Sequence, residues 1–117
     1  MHQLSDKMTN CLNACETCRR VCAETFSHCL AEGGKHAEPQ HLRLLLDCVD
    51  ACRASAEFLV RGSELHHLTC GTCAAVCERC AEDCERVDGD EQMRKCAAAC
   101  RACARSCSEM SEGRRAA

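Results

Sequence analysis

The chain has 117 residues and a formal net charge of −3 with acidic and basic residues interspersed; this suits one domain over 1–117 and excludes a basic nucleic-acid patch or a long acidic tail. Phe26 and Phe58 are its only phenylalanines and it has no Trp or Tyr, so the stacking surfaces of a single-strand nucleic-acid binder are missing. Cysteine is in excess instead, sixteen of them among Ala, Glu and Arg with a single proline, a composition that favours helices.

In chain order, the punctuation divides the sequence into four helices. Ser5 suits the N-cap of a first helix over about 5–32, which Gly33 and Gly34 stop. Pro39 suits the first turn of a second helix over 39–61, before Gly62. Ser63 is the expected cap of a third over 63–87. Asp88-Gly89-Asp90 reads as a turn whose last residue caps a fourth over 90–112, before Gly113. At 1.5 Å per residue these helices are roughly 33 to 42 Å long. Matched lengths and short connections imply antiparallel neighbours, so the expected fold is all-α, an up-down-up-down four-helix bundle.

The first helix carries Cys11, Cys15, Cys18, Cys22 and Cys29, and the second Cys48 and Cys52. The third carries Cys70, Cys73, Cys77, Cys80 and Cys84, and the fourth Cys96, Cys100, Cys103 and Cys107. Alternating steps of three and four mark the line of helix positions that faces a bundle axis. Cysteines therefore occupy the seats where a bundle normally puts leucine, and the stripes meet in a sulfur-lined interior. The second helix differs, because Leu42, Leu44, Leu45, Leu46 and Val49 cover too wide an arc for one inward stripe. That arc either shields the sulfur from water or packs against another subunit. The third helix's charges, Glu78, Arg79, Glu82, Asp83, Glu85 and Arg86, read as a solvated outer face.

Packing alone accounts poorly for these stripes, since leucine fills a core better and each missing methylene costs about 0.8 kcal/mol. Disulfides within a helix fail on geometry: Cβ atoms three or four residues apart are about 5–6 Å from one another, and a disulfide needs about 3.8 Å. Metal remains, and charge selects among metals. Sixteen metal-bound thiolates would take the formal charge from −3 to −19, mostly inside an apolar bundle. Four Zn²⁺ ions return eight charges and leave −11, whereas one Cu(I) per thiolate returns all sixteen and restores −3. Cu(I) is also soft and suits thiolate. The alternatives are an iron–sulfur or other redox-cluster electron-transfer protein and a zinc-thiolate buffer. The bacterial cluster run ends in Cys-Pro, and no proline neighbours any cysteine group here. No βαβ pattern supports a thioredoxin-like CxxC, and no catalytic constellation is discernible, so the chain is expected not to be an enzyme.

The stripes continue past the cysteines. Met8, His66 and Met110 fall together at one end of an antiparallel bundle and are the expected uptake ligands, soft or borderline donors that pass Cu(I) to the thiolates. His41 and Met93 extend stripes at the opposite end as second candidates. His2, His28, His36 and His67 lie off the stripes and read as surface residues. The opening "MHQLSDKMTNCLNAC" has no signal-length apolar run, no hydrophobic segment follows Arg19-Arg20 or Arg114-Arg115, and no stretch is long enough to span a membrane. The expected location is cytoplasmic, where thiols stay reduced.

A bundle lined by repeated CxxC and CxxxC pairs over about residues 5–112 resembles the bacterial copper storage proteins, specifically their cytosolic branch without a twin-arginine export signal. The resemblance implies many Cu(I) ions held in the core, mainly between pairs of the sixteen cysteines, and association into a homotetramer. The expected role is copper storage for sequestration and detoxification, with later supply. The expected partners are copper ions, further copies of the chain and a copper chaperone, with no nucleic acid and no membrane.

Overall fold

Four helices follow one another, α1 (Asp6–Glu32), α2 (Pro39–Val60), α3 (His66–Arg86) and α4 (Glu91–Ala116), in a computed structural model that describes residues 3–87 and 89–116. Their starts have local causes. The Met8 N–H donates to Ser5 Oγ at 3.1 Å, and Asp6 puts a negative charge in the first turn of α1. Pro39 sits in the first turn of α2, where its missing N–H is not needed. At the start of α4 the Met93 N–H donates to Asp90 Oδ1 at 2.8 Å. The first helix ends where Gly33 takes a φ of 71°, in the left-handed region that a side chain disfavours.

Three boundaries depart from the expectation. Ser63 Oγ accepts the Leu65 N–H at 3.1 Å, which makes a turn of its own, and α3 begins only at His66. The fourth helix runs through Gly113 to Ala116, because glycine lowers helix propensity by about 1 kcal/mol but keeps its hydrogen-bond donor. The connection after Gly33 contains a 3-10 turn, Gly34–Ala37, that the sequence did not signal. His2 and Asp88 lie outside the described residues.

Each helix packs on the next, and α4 closes the ring against α1. The diagonal pairs meet through side chains across the axis, as Cys18 of α1 does with Cys77 of α3 at 4.0 Å and Cys48 of α2 with Cys100 of α4 at 3.9 Å. The result is the expected up-down-up-down bundle, 48 Å along its longest dimension. All sixteen cysteines are buried. Around them lie Val21, Leu45, Val49, Leu59, Val87 and Met93 with Ala56, Ala81, Ala97 and Ala104, so few side chains larger than valine separate the helices. On α2, Leu45 and Val49 face the core, Leu42 packs half-buried against it, and Leu46 stays 44% exposed.

The cap at α4 is a single side chain with a measurable share of stability. Asp90→Ala should lower the unfolding free energy of the reduced apoprotein by about 1 kcal/mol, and Asp90→Asn should recover most of that loss. Urea unfolding followed by circular dichroism reads both, and an unchanged midpoint for the alanine variant would remove the capping role.

Candidate metal centre

Because the cysteines of each helix recur at steps of three, four or seven residues, only two of them on α2, sulfurs from all four helices meet along the axis. Neighbouring Sγ atoms come within van der Waals contact: Cys15 and Cys107 at 3.5 Å, Cys22 and Cys100 at 3.6 Å, Cys48 and Cys77 at 3.6 Å, Cys18 and Cys48 at 3.8 Å. None is joined in a disulfide. With metal–thiolate bonds of about 2.3 Å, two sulfurs up to about 4.6 Å apart can share one ion.

Five groups of four sulfurs, each mutually within 4.8 Å, form a continuous series. Cys22, Cys80, Cys96 and Cys100 share Cys22 and Cys100 with the next group, Cys18, Cys22, Cys48 and Cys100. That group shares Cys18 and Cys48 with Cys18, Cys48, Cys52 and Cys77, which shares Cys52 and Cys77 with Cys52, Cys73, Cys77 and Cys103. The last shares Cys73 and Cys103 with Cys15, Cys73, Cys103 and Cys107. Sulfurs common to two groups cannot each complete an independent four-thiolate site. The arrangement suits bridging thiolates and monovalent ions better than separate zinc or iron–sulfur centres.

The thiols also hold one another's protons. Cys48 lies well below the ordinary thiol value because Cys100, then Cys18, Cys22 and Cys52, hydrogen-bond to its sulfur, against the opposing effect of burial. Cys100 is pushed far up by its bonds to Cys18, Cys22, Cys48 and Cys80, with burial adding to the rise. A first thiolate in the column is thus stabilised at its neighbours' expense. Further ionisation needs a cation. At one end Cys29 stands apart, raised to about 11 by burial first and then by the charges of Cys96, Asp90, Glu32 and Asp83.

That end carries the donors the sequence ranked second. His41 is fully buried, and its Nδ1–H donates to the Asp83 carboxylate. Its Nε2 therefore turns a lone pair toward Cys29 Sγ, 3.4 Å away, and Met93 Sδ lies 3.7 Å from the same sulfur. A carboxylate behind a ligating imidazole is how metal sites fix the ring and its tautomer. Asp83 belongs to the charged run expected on the solvated face, yet its side chain is only 12% exposed and also pairs with Arg86 at 3.0 Å. Its position beside Cys84, level with His41 on the antiparallel neighbour, was the available signal.

At the other end Met8 and Met110 pack half-buried against the core, and His66 is half-buried with its Nδ1–H donating to the Ser63 carbonyl at 2.8 Å. Ser55 Oγ lies 3.3 Å from Cys70 Sγ there, a hydroxyl in the sulfur column that the stripes did not include. His67 is half-buried and donates from Nδ1 to the Glu64 carbonyl at 3.1 Å. His28 and His36, expected as surface residues, are instead both drawn onto Asp90, at 3.0 and 2.8 Å.

Comparison with known proteins agrees with this geometry. The copper storage protein family, Csp, matches residues 4–112. Among solved structures, the Nmul_A1745 protein of Nitrosospira multiformis is 40% identical with a TM-score of 0.86, covering 91% of this chain and 95% of its own. The Cu(I)-bound copper storage protein BsCsp3 is 29% identical with a TM-score of 0.84, covering 91% and 99%. A cytosolic copper storage protein from Streptomyces lividans, carrying five coppers, is 31% identical with a TM-score of 0.80, covering 92% and 94%. With the family's match running over nearly its whole length and the sulfur column inside its helices, this chain belongs to the copper storage protein family.

Proposed function

We propose that the protein stores Cu(I) on the thiolates of its sixteen core cysteines, as a sequestering reserve and not as an enzyme. The observation that carries this is the continuous buried column of free thiols, whose shared members favour bridging between monovalent ions. We place this store in the cytoplasm, a reading supported by its similarity to a cytosolic copper storage protein of Streptomyces lividans. Exposed Leu30, Leu46, Val60, Leu65 and Leu68 support association into a homotetramer, whose mass sedimentation measures. A copper chaperone would exchange copper with such a store at an end of the bundle.

Anaerobic titration of the reduced apoprotein with Cu(I) should reach an end point on the order of one ion per cysteine. Saturation near four ions would favour zinc-type sites instead, and a brown, bleachable protein as isolated would favour an iron–sulfur cluster. In the same titration, Cys77→Ser with Cys100→Ser should lower the capacity by a few ions with helicity retained, because each sulfur belongs to two of the groups of four. Unchanged capacity in that variant would mean that these core positions are not ligands.

Copper enters at the end bearing Met8, His66 and Met110, which are only half-buried, whereas His41 at the far end is sealed. Replacing Met8 and Met110 with leucine and His66 with glutamine should slow loading severalfold at unchanged capacity. Stopped-flow uptake decides it; equal rates would place the uptake route elsewhere.

Protons and copper compete for the same sulfurs. Burial holds the proton on the Cys29 thiol up to about 11 in the folded apoprotein, above its ordinary value of about 9. Between those values the folded state binds more protons than the unfolded chain, so this group's contribution to apoprotein stability falls as pH rises from about 9 to about 11. Anaerobic urea unfolding across that range should show the decline for the native sequence and a smaller one for Cys29→Ala.

A further inference from the structure

Three polar side chains outside the sulfur column converge at the His41 end of the bundle. His28 on the last turns of α1 and His36 in the 3-10 turn both place Nε2 on one oxygen of Asp90, Oδ2, at 3.0 and 2.8 Å. Their rings meet edge to face with centroids 5.6 Å apart. The other oxygen, Oδ1, accepts the Met93 N–H at 2.8 Å, so the start of α4 fixes the carboxylate's orientation. Side-chain exposures of 27%, 17% and 32% for His28, His36 and Asp90 leave room for water to reach the group.

We propose that His28, His36 and Asp90 form a second metal site, for a divalent cation of the zinc class with water in the fourth position. Two imidazole nitrogens and a carboxylate oxygen are the donors such an ion takes, while the soft monovalent ion prefers the thiolates inside. In a tetrahedral site with bonds of 2.0–2.1 Å the ligand atoms stand about 3.3 Å apart. The present 2.8 and 3.0 Å therefore place both imidazole nitrogens within on the order of 0.5 Å of the spacing from the carboxylate oxygen that such a site requires. The cap bond from Met93 is the outer contact that keeps a ligating carboxylate in place. Asp83 and Glu32 add negative charge at this end. The ligands come from three segments: α1, the 3-10 turn before α2 and the turn before α4. A bound ion would clamp the first connection of the bundle to the third.

The thiols would compete for zinc in the apoprotein, so the protein is first loaded with Cu(I) to its end point without oxygen. That count tests copper storage by itself. The loaded protein is then dialysed against Zn²⁺, and the retained zinc is measured by mass spectrometry. About one zinc per chain is expected, falling roughly tenfold or more in His28→Gln and in His36→Gln, with copper content and the zinc of a His67→Gln control unchanged. In the native sequence, with histidine nitrogens labelled, the side-chain resonances of both His28 and His36 should move together and saturate at one equivalent of Zn²⁺. Failure to retain zinc, retention unaffected by the His28→Gln and His36→Gln pair, or unmoved resonances of these two rings would each overturn the proposal.

Discussion

Sulfur resting on sulfur along the axis is the contact on which the rest of the molecule depends. A protonated thiol is apolar enough to serve as core, so a bundle can close around sixteen buried cysteines. The same atom becomes a strong ligand once its proton leaves, and burial then makes an uncompensated charge very costly. A core built this way has two neutral forms, one filled with protons and one with soft monovalent cations. The small side chains around it, mostly alanine and valine, bring the backbones near enough for diagonal helices to meet through single sulfurs such as Cys18 and Cys77.

Much of this is legible in the sequence itself. The period of the cysteines identified the inward face of each helix without ambiguity, because residues three and four apart must share a face. Ser5, Gly33, Pro39 and Asp90 marked ends correctly, since each acts on backbone atoms a few residues away. Ser63 misled because a serine can close a turn as readily as it caps a helix, and sequence does not distinguish the two.

What remained hidden depended on contacts between helices. Asp83 looks like one member of a charged run, and only the approach of α2 turns it onto His41. Likewise His28 and His36 sit off the stripes, as expected, but converge because the end of α1, the 3-10 turn and the turn before α4 lie side by side and share Asp90. Both are pairings of a histidine with a carboxylate far along the chain. No local spacing reports them. The ends of the bundle, where loops meet, therefore carried the least readable chemistry and also the most varied donors.

The shared edges between successive groups of four sulfurs have a consequence for how the interior fills. An ion seated in one group draws two sulfurs into place that already belong to the next group, so the second ion meets a half-built cage. The costly event is the first, as in the growth of a crystal or a helix, and each later ion extends an ordered front. At partial supply, a population of such molecules would divide into nearly full and nearly empty members, with few in between.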